Sequence, residues 1–264
     1  MLNHPTRDKL ITMKLSGMAA AFDEQRQSAN YDAMTFEERL GLLVDRELTA
    51  RNNRQLTMRL KLAKLRQSAL AEDIDFRQPR GLDRSLFQTL LQGEWLRRHD
   101  NCLITGPSGV GKSYLACALG HQACRSGLTV LYARVPRLFP ELAIARADGS
   151  YRKRLAALAR TDLLLFDDWG LAPFAPDQVR DLLEILDDRY DRKSTLIVSQ
   201  VPVDAWHQLL GDPTLADAIL DRLVHNAHRL ELAGDSMRKT RATNHSVSPS
   251  TQHATLTKEE RSGS

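Results

Sequence analysis

An α/β fold with a parallel sheet covered by helices on both faces is the class this sequence predicts, on three observations. From Asn101 to Arg241, short apolar runs alternate with helical patterns. The runs are apolar at nearly every position, as in strands buried on both faces, rather than alternating as in half-exposed ones. A glycine-rich octapeptide, Gly106 to Ser113, falls between the first apolar run and the helical pattern that follows it.

The elements follow in order. Thr35 and Glu38 have capping-box spacing, and Leu40, Leu43, Val44 and Leu48 continue at helical intervals. No Gly or Pro interrupts Leu42 to Phe76, so one long helix is expected there. Asn101–Thr105 is predicted as a strand, Lys112–Arg125 as a helix and Thr129–Ala133 as a strand. Val135–Arg160 reads as two short helices broken near Gly149. Leu163–Asp167 and Thr195–Ser199 are strands flanking an amphipathic helix at Asp177–Arg192. Short helices at Val203–Leu210 and Ala216–Leu223 precede a fifth strand at Arg229–Leu232. The predicted division is a basic helical domain over 1–76, a linker over 77–100, the α/β core over 101–241 and a tail over 242–264. That tail is rich in Ser and Thr and too poor in large apolar residues to offset its ordering entropy, so it is expected to be disordered.

Composition narrows the class. Hydrophobic residues are 42% and charged residues 27%, the balance of a soluble domain, and 6% aromatics point to an aliphatic core. No run of eighteen apolar residues exists, so no membrane-spanning helix is expected, and Met1–Leu10 lacks the apolar region of a secretory signal. Cys102, Cys117 and Cys124 form no CxxC pair, which argues against a zinc ribbon or a disulfide framework and for the cytoplasm. The net charge is +4, but seven cations between Arg46 and Arg66 face the single acid Glu47, a local charge of +6. A long helix so charged, with Arg51, Arg54, Arg59, Lys61 and Lys64 along it, suits a phosphate backbone; it equally suits a solvated face.

Gly106-Pro107-Ser108-Gly109-Val110-Gly111-Lys112-Ser113 matches the phosphate-loop pattern in full. The glycines let backbone N–H groups turn inward around phosphates, Lys112 can reach the β- and γ-phosphates, and the Ser113 hydroxyl can ligate Mg²⁺. Tyr114 follows the loop, near the nucleotide or in the core. Leu163-Leu-Leu-Phe-Asp167-Asp168 is an apolar strand ending in an acidic pair. Asp167 would hold Mg²⁺ and Asp168 would polarise the attacking water. Alone, the pair also suits a helix N-cap; the loop upstream favours the catalytic reading.

The segments GPSGVGKS, LLLFDDWG, STLIVSQVPVDAW and ILDRLVHNAHRLELAGDSMRK, in this order, resemble the IstB family, the AAA+ helper ATPases of insertion sequences. The wider group includes the DnaC and DnaI helicase loaders. The resemblance spans about Met1 to Arg241. It implies a five-stranded sheet in the order 5-1-4-3-2 with a small helical lid. It also implies ATP-dependent, head-to-tail self-assembly into a ring or filament on duplex DNA, and delivery of that DNA to an IstA-like transposase. By the same resemblance Lys112 and Ser113 are the Walker A residues, and Asp167 and Asp168 the Walker B pair. Gln200 stands where the family often has a sensor Asn, Arg222 resembles the arginine finger acting on a neighbouring subunit, and Arg238 the sensor 2 arginine. Without the resemblance, Arg222 reads as a surface arginine and Arg238 as part of a basic run. The cluster Arg134, Arg137, Arg152, Lys153 and Arg154 follows strand two, where initiator-type relatives insert DNA-facing helices. Most AAA+ proteins have Glu at the position of Asp168. The shorter side chain sets its carboxylate back by about 1.5 Å, so slow hydrolysis is expected. Three functions fit: a transposition helper, a helicase loader, and a nucleotide-gated scaffold with little turnover.

Overall fold

The computed structural model describes residues 4–237. Five parallel strands form one sheet: β1 (Asn101–Thr105), β2 (Val130–Arg134), β3 (Leu163–Trp169), β4 (Ser194–Ser199) and β5 (Ala227–Glu231). Their order is β2-β3-β4-β1-β5, the expected 5-1-4-3-2. Every residue of β1 and β4 is buried, because helices cover both faces. On one face α6 (Lys112–Arg125) packs with α4 (Arg84–Gln92) and α5 (Glu94–Arg97). On the other lie α7 (Val135–Ala147), α8 (Tyr151–Arg160), α9 (Pro176–Arg189), α10 (Trp206–Leu210) and α11 (Pro213–Val224). Trp169, at the end of β3, packs its ring at a tilt against Phe174 and Trp206 within this second layer, a packing role.

The N-terminal part differs from the sequence expectation in two places. Thr35 and Glu38 do cap a helix, α3 (Phe36–Ala63), but it ends well before Phe76. Lys64 takes a left-handed conformation at φ +51°, and the turn drops Ala69 into the core and sets Leu65 against it. Apolar burial there outweighs the helix propensity of an uninterrupted stretch. Segment 77–100, expected as a linker, carries α4 and α5. Asp83 caps α4 through the N–H of Leu86, Gly93 ends it in the left-handed region, and Phe87, Leu90 and Trp95 are buried against α6.

Before α3, helices α1 (Pro5–Thr12) and α2 (Ser16–Gln27) pack as a small bundle. α2 crosses α3 so closely at Gly17 that a Cβ would lie 2.7 Å from the carbonyl oxygen of Arg46. The Glu47 carboxylate accepts the N–H groups of Gly17 at 2.7 Å and Met18 at 3.2 Å, so α3 caps the open end of α2. A hydrogen bond from Arg51, opposed by burial and joined by these backbone bonds, holds the Glu47 carboxyl below its ordinary value. A depressed carboxylate contributes stability above its unfolded value and loses it as pH falls through the folded one. The α2–α3 pairing should therefore loosen first on acidification below the normal carboxylate range. Glu47→Gln should remove that acid-dependent step while weakening the pairing at neutral pH. Amide exchange over α2 reads both effects; an acid profile unchanged by the substitution refutes this role.

Candidate functional site

The C-terminal ends of β1, β3 and β4 open onto one cavity of about 390 Å³, where a parallel sheet characteristically binds ligand. The loop after β1 forms its floor. Gly106 and Gly109 sit at φ +139° and +87°, and a Cβ at either would overlap the segment after β5, at Leu232 and Ser236 respectively. Only glycine satisfies both the backbone geometry and the close approach. α6 starts at Gly111 with no side chain capping its first N–H groups, so the positive end of a fourteen-residue helix faces the cavity. Ser113 and Tyr114 line it. Val110 points the other way and is wholly buried in the core.

Lys112 folds its Nζ onto the carbonyls of Gly106 at 2.6 Å and Pro107 at 2.7 Å. It is 7% exposed. Burial lowers its pKa, against the opposing pull of Asp167 and Asp168. Asp167 is buried, accepts the Tyr132 hydroxyl and lies 3.5 Å from Arg66. Asp168 sits in a bulge between β3 and β4, at φ +61°, with its N–H bonded to the Asp167 carboxylate at 2.8 Å. Its Oδ2 receives two nitrogens of Arg134 at 2.8 and 2.6 Å. Gln200 lines the same cavity, just beyond the buried Ser199 that anchors the strand end through the Trp169 carbonyl.

Sequence reasoning missed two cations here. Arg80, within the supposed linker, wraps over the loop: Nη1 lies 3.5 Å from the carbonyl of Val110 and from Met237 Sδ, and Nη2 3.3 Å from the carbonyl of Asp75. Its Nε is buried with no partner among the described residues. Burial lowers its pKa, while Asp75 and Tyr114 pull the other way. Arg66 was visible only as one more charge in a basic run; its approach to Asp167 spans a hundred positions and leaves no local pattern. After β5 the chain returns to the loop, with Met237 N–H bonded to the Gly109 carbonyl at 3.0 Å. Arg238 lies outside the described residues.

The remaining candidates sit elsewhere. Arg222 is not in the cavity; it pairs with Asp187 at 2.7 Å beside the Tyr190 ring. Arg51 and Arg54 both engage Glu47, at 2.8 and 3.3 Å. Arg59 reaches Gln55, while Lys61 is exposed further along α3 and Lys64 just past its end. Arg134, Arg137 and Arg154 border a second cavity beside β2, and Arg152 and Lys153 are exposed on α8.

Residues 8–245 match the family profile of IstB-like ATP binding proteins. The chain belongs to that family. An insertion-sequence ATP-binding protein of Sinorhizobium fredii is 57% identical over 90% of this chain and 98% of its own length. The ATP-binding protein of insertion sequence IS1162 from Pseudomonas fluorescens is 48% identical over 76% of this chain and 88% of its own. Among solved structures, DnaI superposes at a TM-score of 0.54 with 21% identity, covering 64% of this chain and 92% of that one. DnaA bound to AMPPCP and single-stranded DNA gives 0.54 with 18% identity, covering 70% of this chain and 57% of its own. These two show the shared AAA+ P-loop fold. Among the described residues, no helix of this IstB-like protein is long and apolar enough to cross a membrane.

The residues present fit a magnesium nucleotide. The glycine cradle and the uncapped helix end suit phosphates, and the under-bonded Arg80 adds a cation beside them. Ser113 and Asp167 supply hard oxygen donors, which suit Mg²⁺, an ion that takes much of its shell from phosphates and water.

Proposed function

We propose that this protein is an ATP-driven, DNA-binding helper of transposition that assembles on duplex target DNA and presents it to its transposase in the cytoplasm. The observation that carries the reading is the convergence of Lys112, Ser113, Asp167, Asp168 and Gln200 on one cavity at the strand ends, in a chain of the IstB-like family. Lys112 would leave its two loop carbonyls for the β- and γ-phosphates. Ser113 and Asp167 would hold Mg²⁺, which would supply positive charge against the phosphates. Asp168 would take a proton from the attacking water as its oxygen bonds to the γ-phosphorus and the bond to the β-phosphate oxygen breaks, giving ADP and phosphate. Gln200 would orient that water, and Arg238 would contact the nucleotide within the subunit.

Arg222 supports assembly in this reading. Exchanging Asp187 for a neighbouring subunit's γ-phosphate would tie head-to-tail contact to the ATP state. ATP should drive wild-type protein into large assemblies on duplex DNA, seen by light scattering, and Arg222→Ala should stay small while still binding ATP. A wild type that binds ATP yet remains monomeric on DNA sinks the reading and favours a partner-dependent helicase loader. DNA affinity should fall steeply between 50 and 200 mM salt, roughly as a multi-phosphate contact requires. A second reading, a nucleotide-gated scaffold, draws support from Asp168, which is shorter than Glu and held by Arg134. Phosphate release measured with and without DNA separates the two.

A further inference from the structure

Arg80 is 4% exposed, yet its guanidinium is poorly bonded. Asp75 offers it only a backbone carbonyl, at 3.3 Å; the Asp75 carboxylate turns to the N–H and Nε of Arg77, at 2.9 and 3.1 Å. The Asp83 carboxylate is spent on capping α4. Nη1 has the Val110 carbonyl and Met237 Sδ, both at 3.5 Å, and Nε has no partner among the described residues. These are long contacts for a group with so many donors. A charge so buried carries a desolvation cost that such surroundings do not return.

The guanidinium is not what holds this segment in place. The Arg80 carbonyl accepts the N–H of Ala233 at 2.9 Å, and a Cβ on Gly234 would lie 2.6 Å from the carbonyl oxygen of Pro79. The backbone is thus fixed by the chain after β5. The side chain lines the nucleotide cavity. A Cβ on Gly111 would lie 2.7 Å from Nη1, so the cation stands at the start of α6, beside its uncapped N–H groups. Two positive ends side by side raise each other's cost, and an anion between them lowers both. In a phosphate loop this turn serves the α- and β-phosphates, while the loop lysine reaches the β- and γ-phosphates. We propose that Arg80 grips the diphosphate common to ATP and ADP, and so sets how tightly either nucleotide is held without taking part in hydrolysis. The proposal rests on the nucleotide reading of the cavity and adds to it a residue from outside the motif. A contact made equally in ground and transition states strengthens binding and leaves kcat alone.

The test uses nucleotide-free full-length protein and fluorescent analogues of ATP and ADP. Arg80→Met keeps most of the volume and removes the charge. It should bind both analogues about ten- to a hundredfold more weakly, by the same factor for each, as loss of a charge-assisted bond requires. At saturating ATP its turnover should stay within about threefold of wild type. Without nucleotide it should melt within about 2 °C of wild type or above it, because an under-bonded buried charge is gone. If wild type binds neither analogue, the nucleotide reading fails and takes this proposal with it. If wild type binds both and Arg80→Met holds ADP within about threefold of wild type, only this proposal fails. A loss confined to ATP, or saturated turnover cut more than about tenfold, would put the contact on the transferring phosphate and overturn the proposal. A nucleotide-free melting point lower by more than about 5 °C would make the guanidinium a strut of the fold, and the proposal falls on that outcome too.

Discussion

Lys112→Ala should cut ATP turnover by about a hundred- to a thousandfold, the loss expected for one charge-assisted contact to a transferring phosphoryl group in a secluded site. ATP affinity should fall with it, since the same ammonium would contact the ground-state phosphates. Folding should barely change. In the absence of phosphates Lys112 bonds only to the carbonyls of Gly106 and Pro107, which water can reach once the side chain is gone. Burial lowers the lysine's pKa, while Asp167 and Asp168 pull it back up. A fluorescent ATP analogue measures affinity and phosphate release measures turnover. A variant within threefold of wild type on both would show that the loop cradles no nucleotide.

Arg189→Met should produce the largest loss of stability. Arg189 is 1% exposed, at the end of α9, beneath the start of β4. Its guanidinium donates to the carbonyls of Leu158, Thr161 and Ser194 and to the Thr195 hydroxyl. One side chain thus ties the end of α8 to the start of β4. Burial opposes the charge and lowers its pKa to about 9, with Asp162 pulling the other way. Methionine fills most of the volume but takes this donor from the buried carbonyls of Leu158 and Ser194 and the part-buried one of Thr161, a cost of about 3–5 kcal/mol. For a chain of this length that corresponds to a melting point lower by roughly 10 °C. Thermal unfolding followed by circular dichroism measures it, and a drop below about 3 °C would mean that water or a shift of α8 satisfies those carbonyls.

The nucleotide site and the fold around it were legible in the sequence only in part. The phosphate loop, the acids ending β3 and the capping box at Thr35 are each local patterns, because the physics behind them acts over a few neighbouring residues. Glycines turn a backbone within one loop, and a capping side chain reaches three positions along. The strand alternation is local too, since burial on both faces imposes apolar residues at every position of a short run. The strand order came from resemblance, as nothing in the spacing of the strands distinguishes one parallel order from another.

Sequence alone therefore determined that this chain builds a parallel α/β core around a phosphate loop with paired acids behind it. Only tertiary structure decided what those acids meet. Arg66 comes from the turn after α3, Arg134 from the tip of an outer strand, and Arg80 from a segment that reads as a linker. Lys64 ends α3 in a stretch with no helix breaker, because core burial of the residues beyond it outweighs local propensity. Arg189 looks like any helix-end arginine until β4 and α8 close over it. The physical reason is shared: a charge's partner is fixed by which backbones pack together, and packing joins positions whose separation in sequence carries no period.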